Sequence, residues 1–299
     1  MTTVIGERRR LINLAYRFLG SLAEAEDAVQ EAYARWYAMD EERQAQIETP
    51  AAWLTTVTSR ICLDLLNSAR ARRERYVGEW LPEPLPEPTE WMDAHPGATA
   101  ADPADRVTLD ESVSMAFLVV LDSMTPAERV AFILHDVFRY PFADVAEITG
   151  RSAAAARQLA SSARRRIDEA QSTPAPAARQ AAIVREFKHA WETKDIKAIV
   201  DLLDPDAIVV ADGGGLVPAA LEPIVGREAI AHFAELVTTH RPTGTMLERT
   251  VNGQPGLVVK QGDLGLTVMA FELAGDRIKR IYIVRNPEKL RPWTGNAQS

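Results

Sequence analysis

The sequence contains a single cysteine, Cys62, in 299 residues. One cysteine cannot form an intramolecular disulfide, and no Cys or His lies near it at the spacing of a metal site. This scarcity excludes a disulfide-stapled secreted domain and a cysteine-based zinc site. We expect Cys62 to be a small buried side chain on a helix, in a chain that binds no metal and uses no cofactor.

Long apolar runs are also missing from the sequence. No stretch approaches the ~18 to 20 apolar residues that span a bilayer. The first residues, MTTVIGERRRL, contain no apolar segment typical of a secretion signal. We therefore expect a cytoplasmic protein with no membrane partner. The composition, 46% hydrophobic and 25% charged, is typical of a soluble globular protein, and the length predicts two or three domains.

The sequence has no excess of basic residues, with 34 Lys and Arg against 42 Asp and Glu. A protein that binds DNA alone usually carries surplus positive charge for the phosphates. Here the basic residues cluster in residues 60–75 and 157–166, whereas residues 79–111 are strongly acidic. This distribution fits a protein that a larger partner delivers to DNA.

Residues 1–79 predict a compact domain of three helices. Gly20 ends the first helix, and Ser21 begins a capping box at the start of the second. Thr49 followed by Pro50 starts the third helix. Apolar residues recur on one face of each helix, so each helix is expected to bury one side.

Residues 80–104 are rich in proline and acidic residues, which predicts an extended linker. Trp80, Leu81 and Trp91 are too apolar for a purely solvated tether. These three side chains are therefore candidates for docking on a neighbouring domain.

Residues 105–172 predict a second helical domain. Thr125 and Pro126 provide the start signal of one of its helices. A short helix then reaches a tight turn at Gly150, and Ser152 caps a longer helix. This arrangement predicts a helix-turn-helix.

After a short linker at residues 173–180, residues 181–293 read as helices followed by strands, and residues 294–299 form a tail. Strands are predicted at 207–211, around 245–251, and at 257–260, 266–273 and 278–284. This order predicts an α+β domain with a curved antiparallel sheet.

The second helix of the helix-turn-helix carries polar and basic side chains that can reach base edges or phosphates. The candidate DNA-binding residues on this element are Ser152, Arg157, Gln158, Ser161, Arg164 and Arg165. Any amphipathic helix pair with a tight turn gives the same pattern, so a purely structural role stays open.

The third N-terminal helix ends in a basic stretch that can hold phosphates and unstacked bases. The candidate residues there are Arg60, Asn67, Arg70, Arg72 and Arg73. A single basic helix end is usually a solvated surface. Two such elements on tethered domains can engage two separated DNA segments at once, which favours DNA binding.

These motifs resemble the sigma factors of bacterial RNA polymerase. SLAEAEDAVQEAYARWY is similar to region 2.2, which contacts core polymerase. TPAAWLTTVTSRICLDLLNSARARRER is similar to regions 2.3 and 2.4, which melt and recognise the −10 element. TPAERVAFILHDVFRYPFADVAEITGRSAAAARQLASSARRRI is similar to region 4, which recognises the −35 element.

The resemblance implies that core RNA polymerase and promoter DNA are the partners and that the chain directs promoter-specific transcription initiation. The polymerase-binding residues that it implies are Asp27, Gln30, Glu31, Arg35 and Trp36. The span between the two matching regions leaves no room for a separate region 3, which points to the extracytoplasmic-function (ECF) group.

Three further motifs resemble a sigma-J-like ECF class with a fused SnoaL-like domain of the NTF2-like fold. They are WLPEP at 80–84, DGGG at 212–215 and NPEKL at 286–290. The resemblance implies that this domain contacts the sigma part and modulates its activity. The regulatory residues that it implies are Trp80, Leu81, Pro82, Glu83, Pro84, Asp212, Gly213, Gly214, Asn286, Pro287, Lys289 and Leu290. Leu216 departs from the class, which commonly has Lys there.

Other functions stay open. SnoaL-like cones include enzymes with an Asp or His base, for which Asp212, His232 and His240 are the candidates. We favour a turn-forming role for Asp212 because three glycines follow it, and we expect no catalytic residue. An unidentified small ligand is also open, in a cavity lined by Trp191, Phe233, Met269 or Tyr282. A stand-alone helix-turn-helix regulator would need a dimerisation helix, and none is visible in the sequence.

Overall fold

The computed structural model describes residues 6–73, 76–87, 113–170, 175–240, 244–260 and 265–294, with the backbone alone at residues 69–73 and 240. The chain forms two compact units. The described part of the first unit comprises residues 6–73 and 117–170, and the remaining described residues belong to the second. Within these residues, no helix combines the length and apolar character needed to cross a membrane.

The N-terminal part of the first unit is helical. Its helices are α1 (Arg8–Leu19), α2 (Leu22–Tyr37), α3 (Glu41–Ala45) and α4 (Pro50–Arg73). Gly20 adopts a left-handed conformation, φ 70°, and ends α1. The Ser21 hydroxyl accepts the Glu24 N–H at the start of α2. The predicted helical domain is confirmed, and the short α3, which sequence reasoning missed, begins after a cap from Asp40.

The apolar faces of the long helices form the core of this region. Leu11, Phe18 and Val29 are fully buried. Cys62 on α4 is also buried, and burial raises the pKa of its thiol. Cys62 is therefore a packing residue, as the sequence predicted.

The second helical region contains the predicted helix-turn-helix. Its elements are α5 (Met115–Asp122), α6 (Pro126–Phe132), a π-helical turn (Ile133–Val137), α7 (Phe142–Thr149) and α8 (Ala153–Ala170). Thr125 and Glu128 form a reciprocal capping box at the start of α6. Gly150 is left-handed at the end of α7, and the Ser152 hydroxyl accepts the Ala155 N–H at the start of α8.

The second unit is an α+β fold. Its elements are α9 (Ala177–Glu192), α10 (Ile196–Leu202), β1 (Leu203–Asp212), β2 (Ile224–Val225), α11 (Arg227–His240), β3 (Thr245–Val251), β4 (Gln254–Lys260), β5 (Leu266–Ala274), β6 (Arg277–Val284) and α12 (Arg291–Thr294). Across the described residues the sheet has the order β2-β1-β6-β5-β4-β3.

The predicted α+β fold is confirmed, but its sheet is not antiparallel throughout. β1 and β6 are parallel, whereas the other neighbouring strands are antiparallel. Strands joined by a tight hairpin must be antiparallel. β1 and β6 lie at opposite ends of the domain sequence, so no hairpin constrains their relative direction, and the sheet is mixed.

The two faces of this sheet have different surroundings, because side chains alternate along each strand. Val209, Met269 and Ile281 belong to a core with buried side chains of α9, α10 and α11. Asp212 and Tyr282 are buried outside that core, and alternation from Val209 and Ile281 directs them to the opposite face.

Candidate functional sites

The outward face of α8 carries most of the predicted −35 residues. Ser152, Arg157, Gln158, Ser161 and Arg165 are exposed. A shallow groove on this face is lined by Arg151, Ala155, Gln158, Leu159, Ser161, Ser162 and Arg165. The helix therefore offers both hydrogen-bonding and cationic side chains on one surface.

The arginines of this surface differ in their partners. The Arg164 Nε atom lies 2.6 Å from the Asp136 Oδ1 atom, so its charge is partly neutralised. The Arg157 guanidinium lies 5.3 Å from the centre of the Phe142 ring. Arg165 forms no ion pair within the part of the chain that the structure describes. Of the predicted −35 arginines, Arg157 and Arg165 therefore have no acidic partner among the described residues.

The predicted −10 residues lie on α4. Arg60 and Asn67 are exposed. Arg60 donates to the Glu147 carbonyl at 3.1 Å and to the Glu147 carboxylate at 3.2 Å, so α4 contacts the first helix of the helix-turn-helix. Arg70, Arg72 and Arg73 lie at the end of α4, and their side chains fall outside the described residues.

The predicted polymerase face lies on α2. Asp27, Gln30, Glu31 and Arg35 are exposed, with Glu31 and Arg35 paired at 2.9 Å. Trp36 differs because it is only 5% exposed. Its ring packs edge-on against Trp53 with centroids 5.4 Å apart. Trp36 therefore attaches α2 to α4 instead of presenting a surface to a partner.

Sequence reasoning missed the contacts that join the two helical regions of the first unit. The Arg129 side chain is 4% exposed, and its Nη1 atom donates to the Phe18 carbonyl at the end of α1, at 2.7 Å. Its other nitrogens bond the Leu121 carbonyl and the Asp122 carboxylate. The Tyr140 hydroxyl donates to Thr55 on α4 at 3.0 Å. No local pattern marks an arginine for burial, so the sequence gives no signal for this junction.

Asp212 is the centre of the predicted regulatory motifs. Its carboxylate is completely buried. The Oδ1 atom accepts the Tyr76 hydroxyl at 2.6 Å and the Gly214 N–H at 3.0 Å. The Oδ2 atom accepts the Leu81 N–H at 2.9 Å and the Lys289 ammonium at 2.6 Å. Four donors thus surround one buried negative charge, which offsets its desolvation.

The three motifs meet at this carboxylate. Lys289 also donates to the Leu81 carbonyl at 2.6 Å and lies 4.1 Å from the centre of the Trp80 ring. Asn286 donates to the Tyr76 hydroxyl at 2.8 Å. A side chain at Gly214 would collide with Asn286, which explains the glycine there. We call this group, Tyr76, Leu81, Asp212, Asn286 and Lys289, the anchor.

The segment from Tyr76 to Glu87, here called the strap, runs from the end of β1 to the β3–β4 turn. The Leu85 N–H donates to the Asn252 side-chain Oδ1 atom at 2.9 Å, and the Asn252 N–H donates to the Leu85 carbonyl at 2.8 Å. Pro86 forms an isolated antiparallel bridge with Val251. The Trp293 indole donates to the Pro84 carbonyl at 2.7 Å.

The strap is strongly buried. Pro82, Glu83 and Pro84 are buried, and Leu81 and Leu85 are 1% and 3% exposed. In the third motif Leu290 is 1% exposed, whereas Pro287 is exposed. Residues 80–87 of the predicted linker are therefore docked, and Trp91 falls outside the described residues.

Tyr76, Asn252 and Trp293 were not among the predicted site residues. Burial, with a further contribution from Asp212, raises the pKa of Tyr76. Its hydroxyl therefore stays protonated and acts as a hydrogen-bond donor. Asn252 precedes Gly253 in a hairpin, and Asn-Gly is a sequence signal for such a turn. That signal locates the turn, but it does not identify the segment that docks on it.

The residues suggested for an enzyme or ligand cavity do not all converge, although Trp191 packs against the core that contains Met269. His232 is exposed, and the His240 side chain falls outside the described residues. Met269 is in the core beneath the helices, whereas Tyr282 lies on the opposite sheet face and donates to Glu272 at 2.8 Å. In the described ranges, no group of three His, Cys, Asp or Glu is arranged for a metal ion.

Comparison with known proteins identifies both helical regions. The family model for sigma-70 region 2 matches residues 5–72, and the model for sigma-70 region 4 matches residues 114–167. ECF RNA polymerase sigma factor SigJ of Mycobacterium tuberculosis is 41% identical over 296 residues, which cover 94% of this chain and 90% of the relative. Probable ECF RNA polymerase sigma factor SigI of the same species is 32% identical over 286 residues, covering 95% and 92%.

A solved structure extends this similarity to the whole fold. The crystal structure of M. tuberculosis ECF sigma factor SigJ gives a TM-score of 0.74 at 32% identity, covering 98% of this chain and 99% of that one. The mixed sheet with its helices accordingly fits the SnoaL-like domain that the motifs predicted. With both sigma-70 regions present and relatives aligned over nearly its full length, the chain belongs to the ECF RNA polymerase sigma factors, which bind core polymerase and direct promoter-specific transcription initiation.

Proposed function

We propose that α4 and α8 contact separate promoter elements. Exposed Arg60 and Asn67 on α4 support −10 recognition, together with Arg70, Arg72 and Arg73. Exposed polar and basic residues on α8 support −35 recognition. Arg157, Gln158 and Ser161 contact bases, while Ser152 and Arg165 contact phosphates. Arg164 contributes to a phosphate contact only when it leaves or shares Asp136.

The exposed face of α2 binds core polymerase in this proposal. Asp27, Gln30, Glu31 and Arg35 provide a polar surface, and Trp36 supports it from within the domain. Because the chain has a net charge of −8, the polymerase provides most of the DNA affinity and this subunit provides the promoter preference. The protein acts where polymerase and chromosome meet, in the cytoplasm.

The first unit opens when it acts. The contact between Arg60 and Glu147 holds the −10 helix against the helix-turn-helix. The two promoter elements are separated along the DNA, so α4 and α7 must move apart for both elements to be bound. The exposed ion pair is worth at most ~1 kcal/mol and does not prevent this opening, whereas the buried Arg129 junction has a larger cost.

We infer that the α+β fold of the second unit restrains this opening by holding the strap. The observation that supports this inference is the buried Asp212 carboxylate, to which the strap is hydrogen-bonded. The strap is part of the connection between α4 and the helix-turn-helix. Its 12 residues, 76–87, span up to ~40 Å when extended and free. When the strap is docked at the anchor, these residues no longer lengthen the tether between α4 and the helix-turn-helix. When the strap is released, they lengthen it again. The predicted boundaries place the sigma regions at 1–79 and 105–172 and the regulatory domain at 181–293. The first helix of the regulatory domain begins at Ala177, inside the predicted linker 173–180, and the second unit also includes residues 76–79 and 113–116.

Catalysis by the second unit is not part of this function. Both Asp212 oxygens are already occupied by protein donors, and the carboxylate is inaccessible to solvent. An Asp in this state stabilises a turn and a docked segment and is a poor general base. The sequence relatives are sigma factors, in line with this role.

The test is run-off transcription with purified core polymerase on a library of genomic upstream fragments. A chain that stops at Pro174 keeps the strap but lacks the α+β fold on which the strap docks, so its strap is free. We expect the shortened chain to give more RNA at equal polymerase occupancy. Equal output would contradict regulation by the second unit, and no RNA from either protein would contradict the sigma activity itself.

A further inference from the structure

Arg139 has a backbone conformation that is unfavourable for any residue other than glycine. Its φ of 63° lies in the left-handed region, where a side chain costs energy that glycine does not. The residue is exposed. Within the described residues its side chain forms no hydrogen bond or ion pair, so no contact there offsets the strain.

The conformation is imposed by the neighbouring residues. The Phe138 N–H donates to the Ile133 carbonyl at 3.0 Å, and the Tyr140 N–H donates to the Leu134 carbonyl at 2.9 Å. Both sides of residue 139 are therefore fixed at the end of the π-helical turn. Glycine would be the low-energy residue at this position.

Arg139 is close in sequence to a residue that contacts the surface that reads DNA in the proposed function. Phe142, the first residue of α7, contacts the Arg157 guanidinium of α8. Only two residues separate Arg139 from Phe142. In helix-turn-helix proteins the second helix enters the major groove while the first crosses the phosphate backbone. The segment that leads into α7 is therefore expected near phosphates that flank the groove.

We propose that Arg139 is a phosphate-binding residue that positions α8 on the −35 duplex. This inference depends on the proposed −35 function of α8. A guanidinium with no acidic partner can bind a phosphate in a bidentate manner. The contact carries no base information, so it sets the register and strength of binding and leaves sequence preference unchanged. The strain at residue 139 is then retained for binding, at a cost in stability.

The variant Arg139→Gly separates this role from a structural one. It removes both the strain and the cation, so folding stability and DNA affinity should change in opposite directions. We expect the melting temperature of the full chain to rise by about 1–2 °C. The holoenzyme should bind a duplex promoter fragment more weakly. In a plot of log K against log salt concentration, the negative slope should become less steep by about 0.9.

Lys194→Gly is the matched control. Lys194 is also an exposed cation in the left-handed region, φ 58°, but it lies between α9 and α10 in the second unit. This variant should gain similar stability and keep the wild-type salt slope. Arg139→Lys should keep most of the slope because it retains the charge.

An unchanged salt slope in Arg139→Gly would overturn the proposal, even if its stability rises. The variants Arg157→Ala and Gln158→Ala distinguish this failure from failure of the −35 function. If they lose sequence preference while Arg139→Gly binds like wild type, only the role of Arg139 is wrong. If all three bind like wild type, α8 does not read the promoter, and both proposals are overturned.

Discussion

The Lys289 ammonium lies 2.6 Å from the Asp212 carboxylate, which is completely buried, although the two residues are 77 positions apart in the chain. Lys289 also holds the Leu81 carbonyl, so one cation connects the end of β1, the C-terminal motif and the strap. A buried ion pair of this kind is costly to break from one side. The strap is consequently docked through a contact with a large energetic effect.

The first prediction concerns this ion pair. Lys289→Met leaves the Asp212 charge buried without its cation, so we expect a loss of about 3–5 kcal/mol in the stability of the second unit. The double variant Asp212→Asn with Lys289→Met removes both charges and should recover most of the loss. Urea denaturation followed by tryptophan fluorescence measures both effects, with the exposed Lys260→Met as control. A loss below ~1 kcal/mol in the single variant would contradict the role of the pair.

A milder change should release the strap without unfolding the domain. Tyr76→Phe removes one of the four donors to Asp212 and the acceptor of Asn286, at a cost of about 1–3 kcal/mol. We expect faster hydrogen exchange at the Leu81 and Leu85 amides, which hold the strap to the sheet. Tyr37→Phe, at a tyrosine that is 58% exposed, is the control. Unchanged exchange at both amides would show that Tyr76 does not hold the strap.

The junction of the two helical regions depends on Arg129. Arg129→Ala leaves the Phe18 and Leu121 carbonyls and the Asp122 carboxylate without their buried donor, so we expect a loss of about 3 kcal/mol. Arg60→Ala, which breaks the exposed pair with Glu147, should cost less than ~1 kcal/mol. Thermal denaturation of both variants tests the contrast. Equal losses would contradict the assignment of the junction to Arg129.

Glu128 should make the helix-turn-helix region sensitive to acid. Burial by itself would raise the pKa of Glu128, but hydrogen bonds from Ser162 and Thr125 lower it overall. A carboxyl with a lowered folded pKa stabilises the fold above its unfolded pKa, about 4.3, and that contribution is lost as the pH falls through the folded value.

The comparison of Glu128→Gln with wild type measures this contribution. The variant should be less stable at pH 7, and the difference in urea midpoint should begin to shrink only below about pH 4.3 and shrink further as the pH falls through the folded pKa. A difference that stays constant as the pH falls from about 5 to about 2 would mean that the ionised carboxylate contributes nothing.

The sequence predicted the elements that depend on local signals. The capping box at Thr125, the turn at Gly150 and the cap at Ser152 all involve residues within a few positions of one another. Such signals act through local backbone hydrogen bonds, whose partners do not depend on how distant elements pack. The helix-turn-helix and the exposed face of α8 could be inferred for this reason.

Contacts between distant parts of the chain were beyond prediction from local pattern. The parallel pairing of β1 with β6 and the burial of Arg129 against α1 depend on how whole elements pack. The resemblance of three motifs suggested that they interact, but Tyr76, which lies outside all of them, contacts two of them. Apolar periodicity carries no information on which polar groups pair across a fold.

A reversible disulfide tests restraint by the strap most directly. Pro86 and Val251 face each other in an antiparallel bridge, a geometry with Cα atoms about 4.5–5.5 Å apart that suits a disulfide. In the double variant Pro86→Cys with Val251→Cys, oxidation fixes the strap, while the buried Cys62 stays outside the exchange. Run-off transcription with core polymerase should give less RNA from the oxidised protein, and reduction should restore it, with wild type unaffected by either treatment. Equal output from the oxidised and reduced forms would contradict control of initiation by strap release.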